Sequence, residues 1–393
     1  MRSRVLFLDH VGVIGGAELA MLDVARAYRD TSTVVLFADG PFRDRLASQG
    51  IRVQVLQGSR ALHAVRRETR LPSLGAVRGL ASLVQRLVPI ARQYDCLHAN
   101  TQKAFVTACA AGMLARRPVI WELHDLLATD RFSRAHIRLD VALANYCTVR
   151  VIANSRASAA AFVEEGGRPE LVRVVHNGIA AAPFDAVTDE EIAEARRDLN
   201  VGDAPLVGVF SRLGEGKGQD VALDALAHVP RAHLLLVGDA LFGEDAYKAS
   251  LRAQAARLGL TDRVHFLGFR SDVPRLMRTV DIVALTSSVP EPFGRVVVEG
   301  MLARRPVIAT GVGGVPEIVS DGTGVLVPPG DARALASALT RLLSDPVFAG
   351  EVACKGRLRA TTHFTVEAMV DRKISHIEAA IRKQAALSPG LAS

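Results

Sequence analysis

Cysteine, aromatic residues and lysine are all scarce in this chain of 393 residues. The four cysteines, Cys96, Cys109, Cys147 and Cys354, include no close pair, so a zinc knuckle, a CxxC redox site and a disulfide framework lack sequence support. A reduced, cytoplasmic protein with no bound metal is the expectation. Phe, Trp and Tyr together make up 5% of the chain, too little for a platform on which nucleic-acid bases stack, and no reader motif accompanies them. No nucleic-acid partner is expected. Long apolar runs are missing too: no stretch reads as the roughly 20 uninterrupted apolar residues of a membrane span. The opening MRSRVLFLDH has a short apolar run ended by an acid and a histidine, whereas a secretory signal needs a longer run and a small-residue cleavage site. It reads as a first strand.

What is present is a large apolar fraction, 49%, against 23% charged residues, enough for a sizeable core and, at this length, for two domains. The 48 basic and 41 acidic side chains give +7, with only six lysines among the basic residues. Net charge of this sign permits attraction to a phosphorylated substrate, an anionic bilayer or nucleic acid without choosing among them.

Short apolar runs at Arg4 to Leu8, Thr33 to Phe37, Val53 to Leu56, Cys96 to Ala99, Pro118 to Glu122 and Val149 to Ala153 alternate with helical segments. A second series runs through Leu206 to Phe210, His233 to Val237, Val264 to Leu267, Ile282 to Thr286, Val307 to Thr310 and Gly324 to Val327. Strands alternating with helices argue for parallel sheets covered on both faces, here in two Rossmann-like, doubly wound halves. The expected division is a first domain over 1–180, a linker over 181–205 marked by Pro183 and Pro205, a second domain over 206–362, a charged helix over 363–387 and a flexible tail over 388–393. Residues 60–92 interleave Leu62, Val65, Leu74, Val77, Leu80, Leu83, Val84 and Leu87 with Arg66, Arg67, Arg70, Arg78 and Arg86. Such a segment either lies on an anionic membrane or forms surface helices whose arginine stems cover apolar neighbours.

Chemistry concentrates in two places. In SSVPEPFGRVVVEGM a strand ends in Thr286 and Ser287, a proline-rich turn presents Glu291, and a helix starting near Gly294 carries Glu299. Ligands of doubly wound sheets bind beyond the carboxyl ends of strands, and free amides gather at helix starts, so this segment suits a phosphate with carboxylates gripping hydroxyls. In VGVFSRLGEGKG a strand delivers Arg212 and then Lys217 on a glycine-rich turn, two cations suited to a diphosphate. Gly218 follows Lys217, so the Walker pattern with its hydroxyl is not met, and Gly12, Gly15 and Gly16 do not spell a dinucleotide fingerprint. His124 follows a strand in VIWELHD, which places an imidazole at a carboxyl edge, where a structural role competes with one in positioning reacting groups.

Taken together and in order, the motifs VIGGAE (Val13 to Glu18), ELHD (Glu122 to Asp125), VIANS (Val151 to Ser155), VVHNGI (Val174 to Ile179), SRLGEGKG (Ser211 to Gly218), LLLVGD (Leu234 to Asp239), VHFLGF (Val264 to Phe269), EPFGRVVVE (Glu291 to Glu299) and GGVPEIV (Gly313 to Val319) resemble the retaining glycosyltransferases of family 4, with the GT-B fold. The resemblance spans nearly the whole chain. It implies two Rossmann-like domains facing a central cleft, a nucleotide sugar held chiefly by the second domain, an acceptor approached through the first, and a last helix returning toward the first domain.

Carried over residue by residue, the resemblance puts Arg212 and Lys217 on the donor diphosphate and Glu299 on its ribose. Glu291, Phe293 and Gly294 surround the transferred sugar, with Arg295 and Val296 opening the helix beside it. His124 stands near that sugar, the backbone at Gly15 and Gly16 faces the donor phosphate or the acceptor, and Arg270 lies near the nucleobase. Glu18 and Asn154 are weaker candidates. The implied reaction transfers a hexosyl group, from a UDP-sugar in preference to a GDP-sugar, to a hydroxyl of a glycan, a lipid-linked or a secondary-metabolite acceptor, with no cofactor or metal. A noncatalytic nucleotide-sugar-binding protein and a GT-B epimerase or phosphorylase are the alternatives, and peripheral contact with the inner face of the cytoplasmic membrane remains open. Two departures stand out: Ser211 where the family often has glycine, and Gly300 where alanine often follows the second glutamate. An interior helical glycine is expected to cost about 0.5–1 kcal/mol relative to alanine.

Overall fold

The computed structural model describes residues 2–63, 73–129, 132–241 and 243–387. The chain divides into two compact units, Met1–Gly178 with Val366–Ser393, and Ile179–Thr365.

The first unit is built on seven parallel strands, β1 (Val5–Asp9), β2 (Thr33–Leu36), β3 (Val53–Val55), β4 (Cys96–Ala99), β5 (Val119–Leu123), β6 (Thr148–Ala153) and β7 (Val172–Val174), in the order β3-β2-β1-β4-β5-β6-β7. Strands with helices on both faces need apolar side chains in both directions, and Val5, Leu6, Phe7 and Leu8 are all fully buried. Helices Leu74–Ala91, Gln102–Ala115 and Arg134–Cys147 contribute to the core on one face, where Phe105 stacks on Trp121 with ring centroids 4.2 Å apart. On the other face lie helix Gly16–Ala27 and the last helix, Val366–Leu387, whose Met369, Ile377 and Ala380 pack with Phe7, Ile120 and Ile152.

The second unit has six parallel strands, β8 (Leu206–Phe210), β9 (His233–Val237), β10 (Val264–Gly268), β11 (Ile282–Leu285), β12 (Val307–Thr310) and β13 (Val325–Val327), ordered β10-β9-β8-β11-β12-β13. In both sheets the chain winds outward on one side and then restarts on the other, so strand order switches between β1 and β4 and between β8 and β11. Crevices at such switch points, beyond the carboxyl ends of the strands, are where ligands bind in this architecture.

Several expectations need correction. Residues 181–205 are no free linker: helices Ala182–Asp185 and Asp189–Asp198 belong to the second unit, where Phe184 and Val201 join its core. The charged helix begins with a capping box, Thr188 Oγ1 accepting from Glu191 N at 3.2 Å while a Glu191 carboxylate oxygen accepts from Thr188 N at 2.8 Å. β7 is an added edge strand whose three residues, Val-Arg-Val, are too short to stand out as a run. The expected helix over 363–387 is the tail of one helix, Pro346–His363, followed by a second, Val366–Leu387. The break at Phe364 and Thr365 lets the buried Phe364 ring meet Phe293 edge-on at 5.8 Å.

Among the described residues one helix, Leu74–Ala91, is long and apolar enough by composition to cross a membrane, which the run-by-run reading of the sequence did not find. Its Leu83, Val84, Leu87 and Ala91 are buried in the first unit's core, while Leu74 and Val77 are exposed. Arg78 and Arg86 sit on the exposed side, and Arg86 donates to the Gln57 carbonyl at 3.0 Å. Arg66, Arg67 and Arg70, and the tail 388–393, lie outside the described residues.

Candidate active site

In the second unit the site residues cluster beyond β8 and β11. The loop after β8 is pinned at its start by buried Gln219, whose side-chain nitrogen donates to Ser211 Oγ at 2.9 Å and to the Arg212 carbonyl at 2.8 Å. Ser211 is therefore more than a tolerated departure, because its hydroxyl is a partner that glycine cannot supply. Gly218, at φ +70°, closes the turn, and a Cβ there would stand 1.8 Å from the Thr286 carbonyl oxygen, which no side chain permits. The close approach is tied by Thr286 Oγ1 donating to the Lys217 carbonyl at 3.0 Å and Ser288 N to the Gly216 carbonyl at 3.0 Å.

This clamp brings Lys217 to Glu291. Lys217 Nζ donates to Glu291 Oε1 at 2.7 Å, and the same oxygen accepts from the buried Ser287 hydroxyl at 2.5 Å. The Glu291 backbone is held in turn, its carbonyl accepting from Gly314 N at 2.8 Å. A Cβ on Gly313, at φ +67°, would fall 2.2 Å from that carbonyl. Ser287 is fixed through Thr310 Oγ1, which donates to its carbonyl at 2.7 Å. Three loops, after β8, β11 and β12, thus converge on one glutamate, the first two on its carboxylate and the third on its backbone. Arg212 pairs with Glu244, a partner that sequence reasoning missed.

Gly294, at φ +97°, precedes helix Arg295–Leu302, and Arg295 donates to Glu299 one turn on at 3.3 Å, leaving both side chains less than a quarter exposed. Gly300 is a packing residue: a Cβ would meet Val283 Cβ at 2.9 Å and Val307 Cγ2 at 3.0 Å, so glycine lets this helix settle onto β11 and β12. The expectation that Gly300 merely weakens the helix is corrected on that ground. The Phe293 ring is buried in the second unit's core beside Phe364, and Val296 packs partly buried on the same core. Arg270 is exposed beyond β10 and bound through two nitrogens to Asp272, at 2.7 and 2.6 Å.

In the first unit Gly15 precedes helix Gly16–Ala27 in extended conformation, with Glu18 in the first turn. Burial, aided by the Asp9 charge, pushes Glu18 up to about 7. Burial also holds Asp9 near 6 although its carboxylate accepts from Asn100 Nδ2 at 2.6 Å, Thr101 Oγ1 at 3.3 Å and Val11 N at 3.2 Å. His124 follows β5, and its Nε2 lies 2.9 Å from Asn100 Oδ1 and 3.4 Å from Glu122 Oε1. Asn154 donates to the His124 carbonyl at 3.3 Å and accepts from Ser158 Oγ at 3.0 Å, which gives it a bracing role. Glu122 pairs with Lys373 of the last helix, both buried. Burial opposes its ionisation, yet Lys373, with His124 and His98 beside it, brings its carboxyl down to about 2. Burial, helped by the neighbouring Lys373 and His124 and opposed by Glu122, drives His98 down to about 4.

Sequence reading named neither Asp9 nor Asn100, though each is a polar residue closing an apolar strand, a signal that was there to use. Lys373 carries no local signal, being 251 positions from its partner.

A glycosyltransferase family 4 model matches residues 14–182, and one described as glycosyl transferases group 1 matches residues 191–359. Anabaena HepE, solved in complex with UDP and glucose, is 42% identical and superposes with a TM-score of 0.87 over 96% of this chain and 99% of its own. The chain belongs to glycosyltransferase family 4. Its two parallel sheets make it a GT-B member. This family 4 chain is also 32% identical over 186 residues to the lipopolysaccharide core biosynthesis glycosyltransferase LpsE of Rhizobium meliloti, matching 47% of this chain and 53% of LpsE. It is 30% identical over 237 residues to the 2-deoxystreptamine glucosyltransferase of Streptomyces kanamyceticus, with 58% and 60% of the two chains matched. The match thus spans little more than half the length of these curated relatives.

Proposed function

We propose that the protein transfers a hexosyl group, with retention of anomeric configuration, from a UDP-sugar to a hydroxyl of a glycan, lipid-linked or small-molecule acceptor. The observation that carries this is the convergence of Lys217, Ser287 and Glu291 at the β8/β11 switch point, in a chain 42% identical to a protein solved with UDP and glucose. Arg212 and Lys217 grip the diphosphate, and their attraction grows as negative charge develops on it, which is the differential binding that lowers a barrier. Glu299 takes the ribose diol, and Glu291, with the backbone at Phe293 and Gly294, takes the sugar hydroxyls. The turn into Arg295 and Val296 supports them, Arg270 lies toward the base, and Gly15 and Gly16 offer backbone amides to phosphate or acceptor.

The acceptor oxygen bonds to the anomeric carbon on the face that the diphosphate leaves, and a leaving phosphate oxygen receives the acceptor proton. No protein base and no metal is required, and Glu291 recognises the donor without becoming covalently attached, unlike the nucleophile of a retaining hydrolase. His124 lies against the transferred sugar. The setting is cytoplasmic, with peripheral contact at the inner membrane face through the arginine-rich segment 60–92. Liposome flotation with and without anionic lipid, repeated after replacing Arg66, Arg67 and Arg70, tests that contact, and lipid-independent behaviour removes it.

A matrix of nucleotide sugars against glycan, lipid-linked and small-molecule acceptors, read by mass of the transfer product and by the anomeric coupling in its NMR spectrum, tests the assignment. Product from a UDP-hexose with the donor's own anomeric configuration is expected. An inverted linkage, or nucleotide binding without turnover across the matrix, overturns it.

A further inference from the structure

The last helix delivers one charge into the middle of the first unit. Lys373 is 1% exposed and bonded to Glu122, itself 2% exposed, on β5. Two opposite charges buried this deeply are weak stabilisers, because their desolvation offsets most of their attraction. A stability role alone therefore leaves the pair unexplained. Glu122 Oε1, the oxygen bonded to Lys373, stands 3.4 Å from His124 Nε2, and Oε2 stands 3.4 Å from His98 Nε2 without a hydrogen bond.

A second chain of contacts reaches the same nitrogen. An ionised carboxylate only accepts hydrogen bonds, so Asp9 takes the Asn100 amide nitrogen at 2.6 Å and turns Asn100 Oδ1 toward His124 Nε2 at 2.9 Å. A carbonyl oxygen also only accepts. Nε2 must therefore carry hydrogen, and Nδ1 is the nitrogen that accepts in the neutral ring. Both chains of contacts favour the same tautomer, one through geometry and one through charge.

We propose that Glu122, bonded to Lys373 of the last helix, and Asn100, oriented by Asp9, are positioning residues that lock His124 in its Nε2–H tautomer and aim Nδ1 to accept from a hydroxyl of the transferred sugar. The sugar contact rests on the function proposed above, while the tautomer does not, and the two are measured separately.

The test is the tautomer itself, read by nitrogen-15 histidine NMR, with the His124 signals assigned by their loss in His124→Asn. In the wild-type protein at neutral pH the Nε2–H form is expected to dominate. Asn100→Ala, and separately the charge-neutral double variant Glu122→Gln with Lys373→Met, each lower the ratio of Nε2–H to Nδ1–H by about fivefold, the worth of one net hydrogen bond, while Lys373→Arg, which keeps a cation beside Glu122, leaves it at the wild-type value. The double variant removes both charges together, so it avoids leaving one buried charge alone and keeps the fold testable. A wild-type ring in the Nδ1–H form, or a ratio unchanged in both variants, overturns the proposal. With UDP-glucose as the donor probe, the same variants are expected to lose about tenfold in kcat at little change in KM. A wild type with the Nε2–H ring but no turnover of any UDP-sugar removes the transferase reading and leaves the positioning geometry standing.

Discussion

Replacing Glu291 by Gln separates charge from shape at the Lys217 contact. Both side chains are largely buried, 19% and 12% exposed, with Nζ and Oε1 2.7 Å apart. Opposite charges at about 4 Å near a protein surface attract by up to about 4 kcal/mol at an effective dielectric of about 20, so Glu291 competes with a diphosphate for the ammonium. Glu291→Gln keeps the volume and can still accept from Ser287, but it removes that competition. Recovering about 1.4 kcal/mol of it tightens UDP by about tenfold. The sugar loses an anionic partner at the same time, and turnover falls by roughly a hundredfold, the scale seen when one transition-state partner is removed. Lys217→Met acts in the opposite direction on binding. It weakens UDP, lowers kcat/KM by about 10²–10³, and leaves a buried carboxylate short of its cation, at about 1–3 kcal/mol of stability. Calorimetric titration with UDP, initial rates with UDP-glucose and thermal unfolding read the three quantities. Weaker UDP binding by Glu291→Gln, or unchanged turnover of Lys217→Met at saturating donor, refutes the reasoning.

Other consequences follow the same contacts. Gly300→Ala, a change that ordinarily gains stability inside a helix, is expected to lose about 1–2 kcal/mol here because the new methyl meets Val283 and Val307; a raised unfolding temperature refutes the close-packing account. Phe293→Leu is expected to lower the urea midpoint while leaving the donor KM within about twofold, as an anchor of the core does; a shifted KM at unchanged stability would instead put the ring on the sugar. For pH, Asp9, Glu18 and Asp140 have folded values raised to about 6, 7 and 8, each chiefly by burial. The folded protein binds more protons than the unfolded chain in this range, so their contribution is fully present below the ordinary carboxylate range and is lost as pH rises through 6, 7 and 8. Glu122 and His98, lowered to about 2 and 4, work the other way on acidification, His98 withdrawing its contribution as pH falls below about 6.5 and Glu122 only below about 4.5. Asp140→Asn, which can still accept from Gln102 across 3.0 Å, should raise the unfolding temperature more at pH 8 than at pH 5; equal gains at both pH values contradict it.

Much of the fold was legible because strands buried on both faces must be nearly continuous apolar runs. β4, β8, β9 and β12 begin and end where those runs do. The same logic fails for β7, where three residues beside an arginine carry too little signal, and for 181–205, where a charged surface helix and two prolines look alike whether they tether two domains or pack on one. On the site, the order of motifs brought Arg212, Lys217, Glu291 and Glu299 forward, since chemistry collects at the carboxyl ends of strands whatever lies between them. It could not tell which way Phe293 points, because a motif records position and not side-chain direction.

By itself the sequence determined the two doubly wound halves and which loops carry cations and carboxylates, because both are written in local periodicity and in the residue types that end strands. Only the tertiary structure decided what those residues touch. Lys217 meets Glu291 because Gly218 and Gly313 let three loops approach closer than any side chain allows. Lys373 meets Glu122 because the chain leaves the first unit at residue 178 and re-enters it at residue 366. A buried charge needs a partner in space, and nothing in chain order obliges that partner to lie nearby in sequence.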